Sequence, residues 1–251
     1  MKDVSQLDIV EQATRIIDEA QKNDVVLRAV GGVAIGMRCP SAKHRSLIRN
    51  YVDMDFIGHA KQDKGIKQVL TDMGFEPNKR FNALHGKKRL QFWDTKKNID
   101  IDIFLDVFEM CHKFDFKDRI DLDKYTIPLA DLLMTKLQIV KINEKDIRDT
   151  IAILADHEFG DKNNDMIDLD YIAKLCSEDW GLYKTLSMNA EKVTEFVKDY
   201  DLKDEHARAV KTRIKTFLKR LEDEPKSMRW RMRARVGERS KWYEDVEEVK
   251  R

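Results

Sequence analysis

Two acidic repeats embedded in apolar runs constrain this chain more than any other feature. Tyr51-Val52-Asp53-Met54-Asp55-Phe56-Ile57 and Ile99-Asp100-Ile101-Asp102-Ile103-Phe104-Leu105 alternate with period two, the spacing that sends successive side chains to opposite faces of a strand. Each run therefore reads as a strand with two carboxylates on one face. Two like charges in such a setting are costly to desolvate unless a cation compensates, which makes the face suited to a divalent ion. The plainer reading is a solvated sheet face. The motif alone is weak, because five D-x-D pairs occur, at 53/55, 100/102, 121/123, 168/170 and 199/201. Only the first two lie inside apolar runs.

The surrounding pattern predicts a mixed α+β fold. Val10, Ala13, Ile17 and Ala20 form the apolar stripe of a helix ending near Lys22. Residues 25–30 are a β-branched run that ends in Gly31-Gly32, and Val33 to Met37 resumes as a helix, giving a strand, glycine turn, helix unit. A basic loop with Pro40, Lys43, Arg45 and Arg49 leads into the strand at 51–57, and a helix follows over about 63–73. Residues 89–93 and 99–105 flank Thr95-Lys96-Lys97-Asn98 as a hairpin. Pro128 opens a helix whose Leu129, Leu132, Leu133, Lys136, Leu137 and Val140 share a face, and Asn143 caps the next. The polar stretch Glu158 to Asp165 suggests a boundary between a domain at 1–158 and a mainly helical C-terminal region at 159–251.

Composition narrows the class. Charged residues make up 37% of the 251 residues, yet the formal net charge is +1, so no global field draws the chain to nucleic acid. Ten Gly and four Pro are too few for a turn-rich all-β domain. Cys39, Cys111 and Cys176 are odd in number and far apart, and no secretory leader is evident, which points to a reducing, cytoplasmic setting. No apolar run approaches the roughly 20 residues of a membrane span, so no membrane partner is expected. Neither His112 beside Cys111 nor the Cys39/His44 pair has a second ligand pair at zinc-site spacing.

Gly31-Gly32 adds a second chemical element. Two glycines between a strand and a helix N-terminus leave backbone N–H groups able to cradle phosphate oxygens, although a tight turn alone would also explain them. In chain order the sequence thus offers a phosphate cradle, a carboxylate pair and another acidic strand.

On these residues the chain resembles the nucleotidyltransferase superfamily typified by DNA polymerase β, and is similar to small prokaryotic members related to abortive-infection toxins. The matching segments are Val30-Gly31-Gly32-Val33-Ala34, Asp53-Met54-Asp55 and Ile101-Asp102-Ile103, with Leu132 to Leu137 and Lys145-Asp146-Ile147-Arg148-Asp149 similar to the later helices of the toxin-type enzymes. Gly32 stands where many members have Ser, and 20 residues separate it from Asp53, more than is usual. The resemblance implies a nucleotidyltransferase-type mixed β-sheet with flanking helices. It implies transfer of a nucleoside monophosphate from a nucleoside triphosphate such as ATP to a hydroxyl of RNA, protein or a small molecule, with pyrophosphate leaving. Asp53, Asp55 and Asp102 would be the catalytic carboxylates and ligands of Mg²⁺ or Mn²⁺, with Asp100 and Asp106 as alternatives to Asp102. Gly31, Gly32 and Lys136 would contact the nucleotide. A binding module on the same fold, holding a nucleotide or polyanion without turnover, is the rival.

Lys136 interrupts an apolar helix face and must either snorkel or meet an anion. Asp146 and Asp149 read as partners of Lys145 or Arg148 on a helix surface. The segment 225–241 carries seven basic residues against one acid, Glu238. There Arg229, Arg231, Arg233 and Arg235 alternate with Trp230, Met232, Ala234 and Val236; an extended strip would present all four arginines to an RNA acceptor, whereas a docked tail would pack its apolar residues inward.

Overall fold

The computed structural model describes residues 6–161 and 165–246, which divide into two compact units. The first runs to Arg38 and includes Ile48–Phe108 and Lys113–Pro128; the second comprises Cys39–Leu47, Glu109–His112 and the chain from Leu129 onward. The chain is α+β, with a mixed five-stranded sheet, flanking helices and a helical C-terminal part.

In the first unit, α1 (Gln6–Lys22) precedes β1 (Leu27–Val30), α2 (Gly31–Arg38), β2 (Asp53–Gly58) and α3 (Asp63–Asp72). Then come the two-residue β3 (Glu76–Pro77), α4 (Lys79–His85), β4 (Arg89–Asp94) and β5 (Ile99–Leu105). The strand order is β1-β2-β5-β4-β3, with β2 and β5 parallel and the other pairings antiparallel. A parallel pair needs a long crossover, and α3, α4 and two strands supply it. Met54, Phe56, Ile101 and Ile103 occupy one face at essentially zero exposure, where they form core with Ile16, Ile17, Val33 and Ile35. The opposite face carries Asp53, Asp55, Asp100 and Asp102 in its first half but buried Ile57 and Phe104 in its second, so it is acidic only near the start of the parallel strands. The β4–β5 turn forms as its residues demand: Asn98 takes φ 58°, and the Asp94 carboxylate accepts the N–H groups of Lys96 and Lys97 at 3.0 and 3.1 Å. A small hairpin of β6 (Val107–Glu109) and β7 (Lys113–Asp115) follows.

The second unit is helical: α5 (Leu129–Leu137), α6 (Glu144–Asp156), α7 (Leu169–Glu178), α8 (Trp180–Phe196), α9 (Asp204–Asp223) and α10 (Met228–Val236). Side-chain caps start four of them, Asn143, Asp168, Asp179 and Ser227 each accepting a backbone N–H of the first turn. Every residue of α5 is buried, which is why its apolar positions run almost all round rather than in one stripe. The division between units falls at Pro128/Leu129, earlier than the expected break near 159. Helices α5 and α6 pack against α8 and α9, and Phe159 and Ile167, on either side of the expected break, are bridged within that unit. Among the described residues no helix is long and apolar enough to cross a membrane.

Candidate active site

Parallel register builds the acidic face. Asp53 lies opposite Asp100 and Asp55 opposite Asp102, so four carboxylates share one side of two neighbouring strands. Asp53, Asp55 and Asp100 are partly exposed, whereas Asp102 is 1% exposed. The Asp102 carboxylate is gripped through two oxygens by Arg89 of β4: Nε donates to Oδ1 at 3.0 Å and Nη2 sits 2.8 Å from Oδ2. The same guanidinium lies 4.8 Å from the Phe104 ring centroid, which helps fix it. The charge of Asp102 is thus matched inside the protein, and this residue, expected as the third carboxylate, is fitted by its surroundings to an ion pair. Asp100, one pleat earlier, is the more open of the two. Asp106 lies past the strand end at φ 59°, where its Oδ1 accepts the Ala60 N–H at 3.1 Å and faces His59 Nδ1 at 3.5 Å. It is occupied there and does not join the acidic face.

The glycine turn abuts this face. Gly31 adopts φ 65°, and a Cβ there would lie 2.7 Å from Asp55 Oδ2. At Gly32 a Cβ would overlap the Arg49 guanidinium and come within 3.0 Å of the Tyr51 ring. Gly31 is required by its left-handed backbone and by the approach of Asp55, whereas a side chain at Gly32 would displace the Arg49 guanidinium and press on Tyr51. The turn is flanked by a carboxylate on one side and by Arg49 on the other, with Arg49 stacked 5.0 Å from the Tyr51 centroid. The sequence marks Arg49 only as a basic loop residue, and its place beside Gly32 comes from tertiary packing. The far end of α2 is tied down by Arg38, which meets Asp123 at 2.5 Å and Thr126 at 3.1 Å.

Carboxylate oxygen is the donor type a hard divalent cation takes, and Asp53, Asp55 and Asp100 supply it on the partly exposed part of the face. Among the described residues no three His, Cys, Asp or Glu side chains are gathered into a cage. The four carboxylates share a face through strand register.

In the second unit, Lys136 neither snorkels nor stands ready for an external anion. Its side chain is 9% exposed and its ammonium lies 3.2 Å from Asp146 and 2.8 Å from Asp149. These acids therefore pair with Lys136 of the neighbouring helix, and Arg148 meets Glu144 at 2.5 Å. A cleft of about 870 Å³ beside them contains Arg45, Arg148 and Lys192 together with Glu144, Asp199 and Asp201, a balance that offers a polyanion no net attraction.

The strip at 229–235 is helical, so its four arginines are spread round α10 instead of sharing one face. Arg233 points inward, lying 4.7 Å from the Trp180 centroid and donating to the carbonyls of Gly237 and Ser240 at 2.7 Å each. Trp230 packs edge-on to Tyr183 at 5.3 Å, and Trp242 packs on Trp180 while its indole N–H donates to Thr185 Oγ1 at 3.0 Å. The segment is docked through its aromatic residues, and those rings are committed to the protein.

Neither a known protein family nor a curated protein matches this sequence.

Proposed function

We propose that this chain is a metal-dependent nucleotidyltransferase that moves a nucleoside monophosphate from a nucleoside triphosphate to a hydroxyl acceptor, as its resemblance to the polymerase-β-type superfamily implies. The observation that carries the reading is the parallel, in-register pairing of β2 with β5, which lines up Asp53 with Asp100 and Asp55 with Asp102 beside the Gly31 turn. Asp53 and Asp55 would hold Mg²⁺ or Mn²⁺, with Asp100 in the third place. When bound, such an ion neutralises phosphate charge and orients the triphosphate.

The chain's own residues have separable tasks. Gly31 and Gly32 lack the side chains that would keep phosphate oxygens off the backbone, and Arg49 beside Gly32 supplies a guanidinium to pair with them. In the transfer, the acceptor oxygen forms a bond to the α-phosphorus as the bond to the pyrophosphate oxygen breaks. The acceptor's proton would pass to a carboxylate, and the partial exposure of Asp100 beside Asp53 supports that residue in the role. Arg89 acts as a positioning residue: by neutralising Asp102 it lowers the repulsion among four carboxylates on one face.

The Arg89–Asp102 pair also supports the second reading, a binding module without turnover, since it engages one carboxylate of the expected triad. Pyrophosphate formation distinguishes the two. Incubating the protein with each nucleoside triphosphate, Mg²⁺ and total RNA, protein or small hydroxyl compounds should release pyrophosphate with at least one acceptor, and Asp53→Asn should abolish it. Mg²⁺-dependent nucleotide binding without pyrophosphate on any acceptor would favour the binding module.

A further inference from the structure

The outward surface of α10 has an organisation that the proposed transfer reaction does not use. Met228, Met232 and Val236 are 69%, 56% and 43% exposed and recur at every fourth residue, so they form one apolar stripe along the helix. At 100° per residue the stripe covers about 80° of the circumference and, at 1.5 Å per residue, about 12 Å of length. Arg231 and Arg235 border it on one side and Arg229 on the other, and all three are exposed. Arg229 and Arg235 have no ion-pair partner among the described residues. The opposite side of the helix is held to its own unit by Trp230 and Arg233. Met232 and Val236, with Arg229, also edge a cleft of about 430 Å³ beside Trp180 and Trp242, and its walls leave the stripe largely uncovered.

We infer that this face of α10 is a docking surface for an acidic amphipathic helix of a partner protein. The chemistry selects that partner over a single-stranded nucleic acid. RNA gains affinity from rings that stack on its bases, and here Trp230 and Trp242 are packed on Tyr183 and Trp180. What remains outward is two thioethers and an isopropyl group between guanidinium groups. Aliphatic side chains of a second helix would cover the Met-Met-Val stripe, whose unbranched thioethers adapt to the opposing shape. Glu or Asp at the flanks of that helix would meet Arg229 on one side and Arg231 and Arg235 on the other. The argument uses residues of the second unit alone and is independent of the acidic strand face.

The probe is a fluorescein-labelled synthetic helix with leucines along one face and glutamates at both flanks. Its scrambled isomer, poly(U) and phosphatidylserine vesicles are compared against it by anisotropy or co-sedimentation with the full chain. Binding should favour the amphipathic acidic helix over its scrambled isomer and weaken by about tenfold or more in Met228→Gln/Met232→Gln and in Arg229→Gln/Arg235→Gln. Glutamine keeps helix propensity and the positions are exposed, so both variants should melt with the wild type. Equal binding of the scrambled isomer, no binding, or an unchanged affinity in the Met variant would overturn the assignment. So would preferential capture of poly(U) or vesicles through these residues, or self-association of the chain that the Met variant abolishes.

Discussion

Replacing Arg89 with Gln should damage the fold more than replacing its partner, and the asymmetry follows from burial. The Asp102 side chain is 2% exposed and that of Arg89 27%. Removing Arg89 takes the guanidinium from a nearly fully buried carboxylate that shares its sheet face with Asp53, Asp55 and Asp100. Breaking a fully buried pair in this way costs about 3–5 kcal/mol, and the partial exposure of Arg89 moves the expectation to about 3 kcal/mol. For a chain of this size that corresponds to a fall in Tm of about 6–12 °C. Asp102→Asn leaves a guanidinium that can turn to solvent and an amide that can still accept from it, so its cost should be about 1 kcal/mol. Arg89→Gln/Asp102→Asn should recover at least half of the loss of the single Arg variant. Urea unfolding of the four proteins gives the coupling energy directly. A loss below about 1 kcal/mol in Arg89→Gln, or a larger loss in Asp102→Asn, would refute the claim that Asp102 belongs to Arg89.

Three further outcomes follow from neighbouring features. Lys136→Met leaves Asp146 and Asp149 buried without their shared cation and should cost about 3–5 kcal/mol in urea unfolding, most of it restored by Lys136→Arg; a cost under about 1 kcal/mol would contradict the pairing. Gly31→Ala places a methyl group 2.7 Å from Asp55 Oδ2 at φ 65°, so it should destabilise by at least about 1 kcal/mol and weaken Mg²⁺-dependent nucleotide binding; wild-type binding would contradict the role of the turn. Burial holds the His112 imidazole below its usual pKa, with Nε2 2.8 Å from the Thr185 hydroxyl. The unfolded chain therefore takes up a proton that the folded chain resists, and stability should fall as pH drops below about 6.5, by up to about 1.4 kcal/mol per unit. His112→Gln should flatten that part of the urea-midpoint profile, and an unaltered slope would exclude His112 as its source.

Much of the fold was legible because its signals are local. Period-two alternation located β2 and β5, Gly31-Gly32 located the start of α2, and Asn143 capped α6 as its side chain allows. The acidic face was half legible: parity within each strand placed its carboxylates, but their alignment depends on β2–β5 register, which no single segment encodes. Arg89 was hidden for a similar reason, since it reaches Asp102 only because β4 folds back on β5. Spacing along α6 points Asp146 and Asp149 to neighbours on their own helix, whereas the buried charge of Lys136 on α5 draws them. At α10 the Arg-x-Arg alternation misleads, and the stop signals decide: Ser227 caps the N-terminus and Gly237, at φ 59°, ends the helix. The polar stretch after Glu158 reads as a linker in composition, yet Phe159 and Ile167 are joined by a backbone bridge that sequence does not reveal.

The most direct test of the central proposal is transfer of label from α-³²P-labelled nucleoside triphosphates to an acceptor, comparing wild type with Asp53→Asn, Asp55→Asn, Asp100→Asn and Asp102→Asn. The amide substitutions preserve side-chain shape while removing the charge a divalent ion requires. Mg²⁺-dependent labelling by the wild type is predicted, with at least a hundredfold loss in the Asp53 and Asp55 variants and a larger loss at Asp100 than at Asp102. Near wild-type labelling by either the Asp53 or the Asp55 variant would contradict the proposal that this acidic face carries the transfer.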